Sequence, residues 1–266
     1  MSELHEEDPA QLVRSLAATL RFARWTGADV VDRAWARPIE VETTPVTPPV
    51  QARPPTPPLP RATQPIAPPR TTGPLPPSAA LEPAVALERL RTRVTGCERC
   101  PHANCRKQIV FGQGSPRAKV ILVGDAPGTL EDASGLHFQG ESGALLDKML
   151  AAIGLARTDV WLTTIALCRP PEDGVVTQAA IAACSPYLRT QMEAIRPQAV
   201  LLMGEAAAQF LLKDSKPLAD LRGRWARVLD RPTLATWSPA ALLADPAKKR
   251  EAWADLQLLQ KALAQA

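Results

Sequence analysis

The stretch that decides the fold is Val120–Leu150, VILVGDAPGTLEDASGLHFQGESGALLDKML. It opens with a short run of apolar residues, which predicts a fully buried strand, and then passes directly into Gly-Asp-Ala-Pro-Gly. Glycine permits unusual backbone angles and proline lacks an N–H donor, so we expect a tight loop after the strand. A helix capped by Ser142 should follow, with its apolar residues on one face. Strand, shaped loop and helix in this order are typical of open α/β sheets.

Two side chains in this stretch are candidates for chemistry. Asp125 stands directly after the predicted strand, and Phe138 stands shortly before the predicted helix. In open α/β sheets, ligands bind outside the carboxyl ends of the strands, where a carboxylate and an aromatic face suit a flat substrate. His137 is next to Phe138, so its imidazole is a further candidate. The alternative is a surface loop in which Asp125 only caps a turn.

Apolar runs alternate with helical patterns along the rest of the chain. Strands are predicted at residues 160–166, 199–203 and 233–237, and helices at residues 83–96, 177–195, 205–212 and 246–263. Strands that alternate with helices predict a mostly parallel central sheet covered by helices on both faces. The expected fold class is therefore α/β, as a three-layer α/β/α sandwich. Trp225 and Trp253 are expected to be core residues.

Composition divides the chain into three parts. Residues 1–36 contain an amphipathic helical pattern, with one apolar stripe formed by Leu12, Val13, Leu16 and Leu20. Residues 37–79 are Pro-rich, which predicts an extended, disordered linker without a core of its own. Residues 80–266 are long enough to bury a core and are expected to form the folded domain.

Charge and cysteine usage restrict the function classes. The net charge is +4 over 266 residues, and residues 1–80 carry equal numbers of acidic and basic side chains, so the excess lies in the remainder. Mild basicity is compatible with nucleic-acid binding. The sequence has no apolar run of bilayer-spanning length and no signal-peptide pattern, so we expect a cytoplasmic protein without membrane attachment. Five cysteines in that setting indicate thiols or metal ligands in preference to disulfides.

Four of the cysteines have a spacing that suits a metal centre. Cys97 and Cys100 form a CxxC pair, Cys168 follows a predicted strand, and Cys184 lies in the next predicted helix. A close pair plus two distant thiolates suits either a structural zinc ion or a [4Fe–4S] cluster. The alternative is that these are buried structural cysteines. Cys105 is a fifth thiol beyond such a set.

From about residue 94 to its end, the chain resembles the family 4 uracil-DNA glycosylases, an iron–sulfur branch of the uracil-DNA glycosylase superfamily. The resemblance rests on several motifs in the same order and at the same separations: Cys97-x-x-Cys100, Val110-Phe111-Gly112-Gln113-Gly114, Gly124-Asp125-Ala126-Pro127-Gly128 with Glu131-Asp132, Phe138-x-Gly140 with Gly143, Cys168-Arg169-Pro170-Pro171, Cys184-x-Pro186, Leu221-Arg222-Gly223, and Ser238-Pro239-Ala240-Ala241-Leu242-Leu243. The fifteen residues between Cys168 and Cys184 also match the usual separation of the family.

This resemblance implies an enzyme that binds DNA, flips a damaged base into a pocket and hydrolyses its N-glycosidic bond. It assigns catalytic roles to Asp125 and Ser238. It assigns substrate binding to four residues: Gly124, Ala126, Phe138 as the stacking platform, and Thr164. It also implies that Cys97, Cys100, Cys168 and Cys184 hold a [4Fe–4S] cluster, with zinc as the alternative.

Four sites depart from the family pattern. Asp125 is one methylene shorter than the usual Glu, and Thr164 replaces an Asn whose amide can read a uracil edge with a donor and an acceptor. Ser238 replaces a His that can donate to the leaving base, and the loss of one such donor typically costs ~10²–10³ in rate. Asp173-Gly174 replaces an Asn-Arg pair, which removes a cation near the DNA-facing loop.

The departures leave two hypotheses for function. The first is a DNA-repair hydrolase for uracil or another deaminated base, with a retuned pocket. The second is a non-catalytic DNA-binding or scaffold protein that keeps the glycosylase fold. In both cases we expect a monomer that binds DNA, and residues 1–32 or the Pro-rich linker are candidates for contacting a protein partner. Candidate phosphate contacts are Arg169, Arg222, Arg224, Lys248, Lys249 and Arg250.

Overall fold

The computed structural model of the chain describes residues 82–171 and 174–265. The predicted N-terminal helix in residues 1–36, the predicted linker at residues 37–79 and Asp173 lie outside the described residues.

Within the described residues, six strands form one sheet in the order β1-β3-β2-β4-β6-β5. They are β1 (Gln113–Gly114), β2 (Val120–Gly124), β3 (Val160–Thr164), β4 (Ala199–Met203), β5 (Trp225–Val228) and β6 (Arg231–Thr236). The β2 strand pairs in parallel with both β3 and β4, and β4 pairs in parallel with β6. The two edge strands, β1 and β5, pair antiparallel with their neighbours. The prediction of a mostly parallel sheet is confirmed.

Helices of the described residues connect these strands. They are α1 (Pro83–Val94), α2 (Thr129–Ser134), α3 (Gly140–Ala152), α4 (Gln178–Ile195), α5 (Glu205–Leu212), α6 (Leu218–Leu221), α7 (Pro239–Ala244) and α8 (Lys249–Gln265). The predicted bounds of α5 are the observed ones, and Thr177 caps α4 by accepting from the N–H of Ala180 at 3.2 Å.

Two hydrophobic cores lie on opposite faces of the sheet, because successive side chains of a strand point to opposite faces. Along β2, Ile121 and Val123 belong to one core, which also contains apolar residues of α1, α4 and α5. Val120 and Leu122 belong to the other core, together with apolar residues of α3 and α8. All five residues of β2, β3 and β4 are buried, as expected for central strands covered by helices on both faces. The three-layer α/β/α fold is confirmed.

The start of α3 differs from the prediction. The helix begins at Gly140, with Gln139 as its N-cap, so Ser142 lies inside the first turn and does not cap it. Gly140 has a φ of 63°, a left-handed angle that glycine adopts without steric cost. The chain therefore enters the helix earlier than the position of the serine indicates.

Proline inside α4 is accommodated locally. Pro186 cannot donate a hydrogen bond to the carbonyl of Ala182, four residues earlier. The hydroxyl of Ser185 donates to that carbonyl at 3.0 Å instead. This substitution keeps the acceptor satisfied, and the helix continues to Ile195.

The tryptophan predictions have different outcomes. Trp253 on α8 is buried, as predicted. Trp225 is 40% exposed, so its prediction as a core residue is wrong. It lies on the antiparallel edge strand β5, where one side of the strand has no neighbour to cover it.

None of the described helices combines the length and apolar character that a membrane span requires.

Candidate active site

The carboxyl ends of the parallel strands bring the predicted site residues to one edge of the sheet. Gly124 ends β2 and Thr164 ends β3, and the two are register partners in adjacent strands. Gly204 follows the end of β4, and Ser238 stands two residues after the end of β6. This edge is the usual position of ligand sites in open α/β sheets.

Gly124, Phe138 and Thr164 converge on one point. A Cβ built on Gly124 would lie 3.2 Å from Cζ of Phe138 and 3.3 Å from Cγ2 of Thr164. A side chain at this position would therefore crowd both the aromatic ring and the methyl group of Thr164. Three of the four predicted substrate-binding residues meet here.

Phe138 itself has an unusual backbone conformation. Its φ of 53° is left-handed, which costs a non-glycine residue about 1–3 kcal/mol and persists only where the surroundings impose it. The guanidinium of Arg157 donates to the carbonyls of His137 at 3.1 Å, Phe138 at 2.8 Å and Gly143 at 3.1 Å. These contacts hold residues 137–139, called the phenylalanine loop below, against the start of α3.

Glu131 links this loop to the one that follows β2. Its carboxylate accepts from the N–H of Gly128 at 3.1 Å and from the N–H of Gln139 at 2.8 Å. The Asp125-Ala126-Pro127-Gly128 segment and the phenylalanine loop therefore share one carboxylate. The next residue, Asp132, is buried and accepts from the N–H groups of Lys107 and Gln108.

Asp125 lies against the beginning of α5. Its carboxylate accepts from the N–H of Ala207 at 2.7 Å, so the helix N-terminus stabilises the negative charge. Gly204 makes this approach possible, because a Cβ there would lie 2.4 Å from the carboxylate. Burial raises the pKa of Asp125 above the ordinary value, although the N–H groups of Ala207 and Ala206 act in the opposite direction.

An open cleft of about 480 Å³ borders the Asp125 loop. It is lined by Asp125, Ala126, Pro127 and Gly128 on one side, and by residues that include Pro170, Gly174, Val176 and Glu205 on the other. The fourth predicted substrate-binding residue, Ala126, is thus placed on the wall of this cleft. A larger groove of about 1150 Å³ adjoins it between α4 and α5, but none of the predicted site residues lines that groove.

Thr164 and Ser238 use their hydroxyls within the protein. The hydroxyl of Thr164 donates to the carbonyl of Ala166 at 2.7 Å, and its methyl group is the part that faces Gly124. The hydroxyl of Ser238 accepts from the N–H of Ala241 at 3.2 Å and caps α7. Ser238 is therefore at the predicted edge of the sheet with a helix-capping contact, and no contact links it to Asp125 or Phe138.

His137 is buried in the protein interior. Only 1% of the residue is exposed, and its Nε2 has no hydrogen-bond partner. Burial, and secondarily the charge of Arg157, lower the pKa of His137 to about 3. The imidazole is therefore neutral and packs behind the phenylalanine loop, with 6.3 Å between the centroids of the His137 and Phe138 rings.

Three of the candidate phosphate contacts have partners within the protein. Arg222 forms a bidentate pair with the buried carboxylate of Asp255, at 2.8 and 3.0 Å, so its prediction as a DNA contact lacks support. Arg224 donates to the carbonyl of Asp220. Lys248 lies 4.5 Å from the centroid of the Trp237 ring and 3.4 Å from the carboxylate of Asp245. Each of these cations has intramolecular partners that compete with a phosphate.

The four predicted metal ligands line one small cavity. Cys97 and Cys100 come from the loop after α1, Cys168 follows β3, and Cys184 comes from α4. All four are free thiols, and Cys168 and Cys184 are buried. Cys105 does not line the cavity and is exposed. The four cysteines that line the cavity are therefore the four that the motif spacing groups together, and Cys105 is outside both sets.

The electrostatics of the cavity fit a bound metal centre. Burial raises the pKa of Cys168 to about 12 and that of Cys184 to about 11, and the neighbouring thiols add to both shifts. Thiolates in this position need a cation to compensate their charge, and four cysteine ligands are the donor set of structural zinc and of [4Fe–4S] clusters. Within the described residues, no group of three or more His, Cys, Asp or Glu side chains has the mutual positions needed to hold a metal ion.

Three residues that position the loops of the candidate site were not identified in that role from the sequence. Glu131 was identified only as part of a motif, and Arg157 and Gly204 were not singled out. A glycine directly after the buried strand β4, before a helix, was the available signal for Gly204. Arg157 left no local signal, because its partners lie 14 to 20 residues away in the chain.

Known proteins with similar sequences agree with this arrangement. The family model described as the uracil DNA glycosylase superfamily matches residues 111–257. The chain is 33% identical to the type-4 uracil-DNA glycosylase of Archaeoglobus fulgidus over 182 residues, covering 65% of this chain and 90% of the relative. It is 32% identical to the type-4 enzyme of Pyrobaculum aerophilum over 180 residues, covering 65% of this chain and 92% of that protein. The chain belongs to the uracil-DNA glycosylase superfamily, in its type-4 branch.

Proposed function

We propose that this protein is a DNA-repair hydrolase that cleaves the N-glycosidic bond of uracil or another deaminated base in DNA. The observation that carries the proposal is the convergence of Gly124, Phe138 and Thr164 beside the cleft that Asp125 lines. An aromatic ring suits the stacking of a flipped base, and a carboxylate at the same edge of the sheet suits the activation of water. The type-4 relatives are named for this activity.

The reaction follows from the placement of these groups. The target nucleotide leaves the stack, at a cost of a few kcal/mol, and its base stacks on Phe138. Asp125 orients a water molecule whose oxygen bonds to C1′ of the sugar as the bond from C1′ to the base nitrogen breaks. The electron pair of the broken bond stays on the base. The proton released by the water is then transferred to the base, which departs as a neutral molecule. The hydroxyl of Ser238 accepts a hydrogen bond in capping α7 and keeps its own proton, so it is the proposed donor to the charge that develops on the departing base.

We also propose that Cys97, Cys100, Cys168 and Cys184 hold a [4Fe–4S] cluster with a structural role. Four thiols from three separate segments line the same cavity, and no carboxylate or histidine is among its lining residues. Zinc is the alternative metal for the same ligands. The cluster would supply cross-links between α4, the end of β3 and the loop after α1. Iron and sulfide analysis with the visible absorption spectrum distinguishes the two metals.

A second hypothesis is a non-catalytic DNA-binding protein. The hydroxyls of Thr164 and Ser238 already have partners inside the protein, which leaves fewer groups to read the base and to assist its departure. Under this hypothesis the fold and DNA binding persist without base release. In both cases the proposed partner is DNA and the proposed state is a monomer.

The deciding experiment is a base-release assay with anaerobically purified protein. Single-stranded and mismatched DNA would contain uracil, hypoxanthine or xanthine, and the variant would be Asp125→Asn. Asp230→Asn is a matched control, because Asp230 is exposed and its φ of 61° suits asparagine equally well. We expect release by the wild type and the control, and a loss of orders of magnitude in Asp125→Asn. DNA binding without release on any lesion would favour the second hypothesis.

A further inference from the structure

The backbone of the phenylalanine loop is held by the side chains of Arg157 and Glu131. On one side, Arg157 donates to three backbone carbonyls, at 2.8–3.1 Å, and also pairs with Asp147 of α3. On the other side, Glu131 accepts from the N–H of Gln139, directly after Phe138. We propose that Arg157 and Glu131 are positioning residues that set the stacking platform of the proposed base-excision site.

The backbone of Phe138 requires such support. A left-handed φ at a bulky residue is unfavourable unless surrounding contacts impose it. The carbonyl of Phe138 points at Arg157, and it also comes so close to α3 that a Cβ on Gly143 would lie 2.0 Å from it. Gly143 therefore admits the carbonyl, and the guanidinium holds it there.

The same support fixes the distance between the platform and Asp125. The two carboxylate oxygens of Glu131 accept from different loops. One accepts from the N–H of Gly128, at the end of the Asp125 loop, and the other accepts from the N–H of Gln139. A displacement of one loop is therefore transmitted to the other. Because a misplacement of about 1 Å can cost ~10²-fold in rate, groups outside the pocket can control the chemical step.

Arg157 is suited to this task by its planar fork of donors. Its side chain is 26% exposed and has three carbonyl partners and one carboxylate, so it is committed to the loop and does not act as a phosphate contact. A lysine would supply a point charge without the fork. Arg157→Lys should therefore recover only part of what Arg157→Ala loses.

The inference rests on the proposed function, and its test has one readout that does not. The full chain would be labelled with fluorophenylalanine, which gives one ¹⁹F signal for each of its four phenylalanines, and Phe138→Leu identifies the signal of Phe138. We expect Arg157→Ala to shift or broaden that signal and leave the other three unchanged. Arg189→Ala is the control, because Arg189 is exposed and forms an ion pair with Glu193 along α4, far in the chain from the phenylalanine loop.

The kinetic readout is single-turnover base release at saturating enzyme. We expect Arg157→Ala to lower this rate about 10–100-fold, Arg157→Lys to lie between it and the wild type, and affinity for undamaged DNA to change less than about twofold. Glu131→Gln is the second variant if Arg157→Ala does not fold, because it keeps the size of the side chain and replaces one acceptor oxygen by a donor. It should also lower the rate.

Two results would overturn the inference. One is an unshifted Phe138 signal with a rate within twofold of the wild type. The other is a change of all four signals together with a lower Tm, which would make Arg157 a general stabilising residue. A wild type that releases no base would remove the proposed function, while the response of the Phe138 signal would still decide the positioning role.

Discussion

Two opposing effects act on the negative charge of Asp125: hydrogen bonds from the start of α5 stabilise it, and burial destabilises it. The N–H of Ala207 at the start of α5 donates to it, and the carboxylate lies so close to Gly204 that a Cβ there would be 2.4 Å away. Burial nevertheless outweighs these contacts and raises the pKa of the carboxyl. Strained or destabilised groups of this kind often occur at catalytic sites, where function opposes stability.

The raised pKa of Asp125 predicts a pH-dependent stability. The folded state binds this proton more tightly than the unfolded state, so stability is highest below the ordinary carboxyl pKa of about 3.9 and falls as pH rises through the raised folded pKa. Asp125→Asn removes the titration and keeps an oxygen that can accept from Ala207. We expect its Tm to exceed that of the wild type by about 2–4 °C at neutral pH, with a smaller difference in acid. Thermal unfolding of both proteins across pH measures this, and a lower Tm of the variant at neutral pH would contradict it.

Thr164 and Ser238 are the residues at which this chain differs most in chemistry from the pattern of its family. Thr164 presents its methyl group to the space beside Phe138, and Ser238 caps α7. Neither side chain offers a free donor and acceptor pair to a base edge. Phe138, the proposed stacking platform, and Thr164 both lie against Gly124.

The double variant Thr164→Asn with Ser238→His should raise uracil release about 10-fold or more, because a base-edge amide and a donor for the leaving group are each typically worth ~10² or more in rate. Loss of the Ser238 cap should lower stability by about 1 kcal/mol. Single-turnover assays measure the gain, and Ser238→Ala is the comparison variant that loses the cap and the hydroxyl without gaining an imidazole. No gain would mean that the pocket differs in more than these two side chains.

At the level of secondary-structure elements, a buried polar network joins α8 to the sheet. Asp255 of α8 is fully buried and accepts from Arg222 and, at 2.7 Å, from the hydroxyl of Thr236 at the end of β6. Burial raises the pKa of Asp255, whereas Thr236 and Arg222 act in the opposite direction. The network anchors the helix that covers one face of the sheet behind the candidate site.

Arg222→Ala should therefore act on stability and leave DNA binding unchanged. Removing one partner of a buried ion pair leaves the other charge uncompensated, so we expect a loss of about 3 kcal/mol in the free energy of unfolding. Chemical denaturation measures the loss, and DNA titrations over a range of salt concentrations provide the second readout. Arg189→Ala is the control, because Arg189 is exposed on α4 and is not one of the candidate phosphate contacts. A salt slope reduced by about one in Arg222→Ala would make this residue a phosphate contact after all.

At the scale of the whole molecule, the cysteines connect segments that are far apart in the chain. The loop after α1, the end of β3 and the middle of α4 each contribute to one cavity. The Asp132 carboxylate connects the segment that follows this loop to α2, next to the candidate site. A metal at the cysteines would therefore support the same edge of the molecule as the proposed chemistry.

Cys168→Ala should remove the metal and destabilise the domain, because three thiolates remain for a four-ligand centre. We expect loss of iron and sulfide, loss of the visible absorption and a lower Tm. Cys105→Ala is the matched control, since Cys105 is exposed and lies outside the cavity. A stable, fully loaded Cys168→Ala protein would show that the ligand assignment is wrong.

Periodicity predicted the central elements well, because β2 to β4 are buried on both faces and read as continuous apolar runs. The edge strands β1 and β5 were not predicted, since each is short, partly exposed and defined only by its antiparallel neighbour. Ser142 was predicted as a helix cap from its residue type, but the turn at Gly140 starts α3 earlier. Local sequence does not encode that turn by itself.

The amino-acid sequence alone determined the α/β class, the strand–loop–helix around Asp125 and the set of four cysteines, because these depend on local periodicity and on motif spacing. Only the tertiary structure decided how the side chains are used. It turned the Thr164 methyl toward Phe138, buried His137, paired Arg222 with Asp255 and brought Arg157 to the phenylalanine loop. These outcomes depend on partners distant in the chain, whose competition for hydrogen bonds and space exists only once the chain is folded.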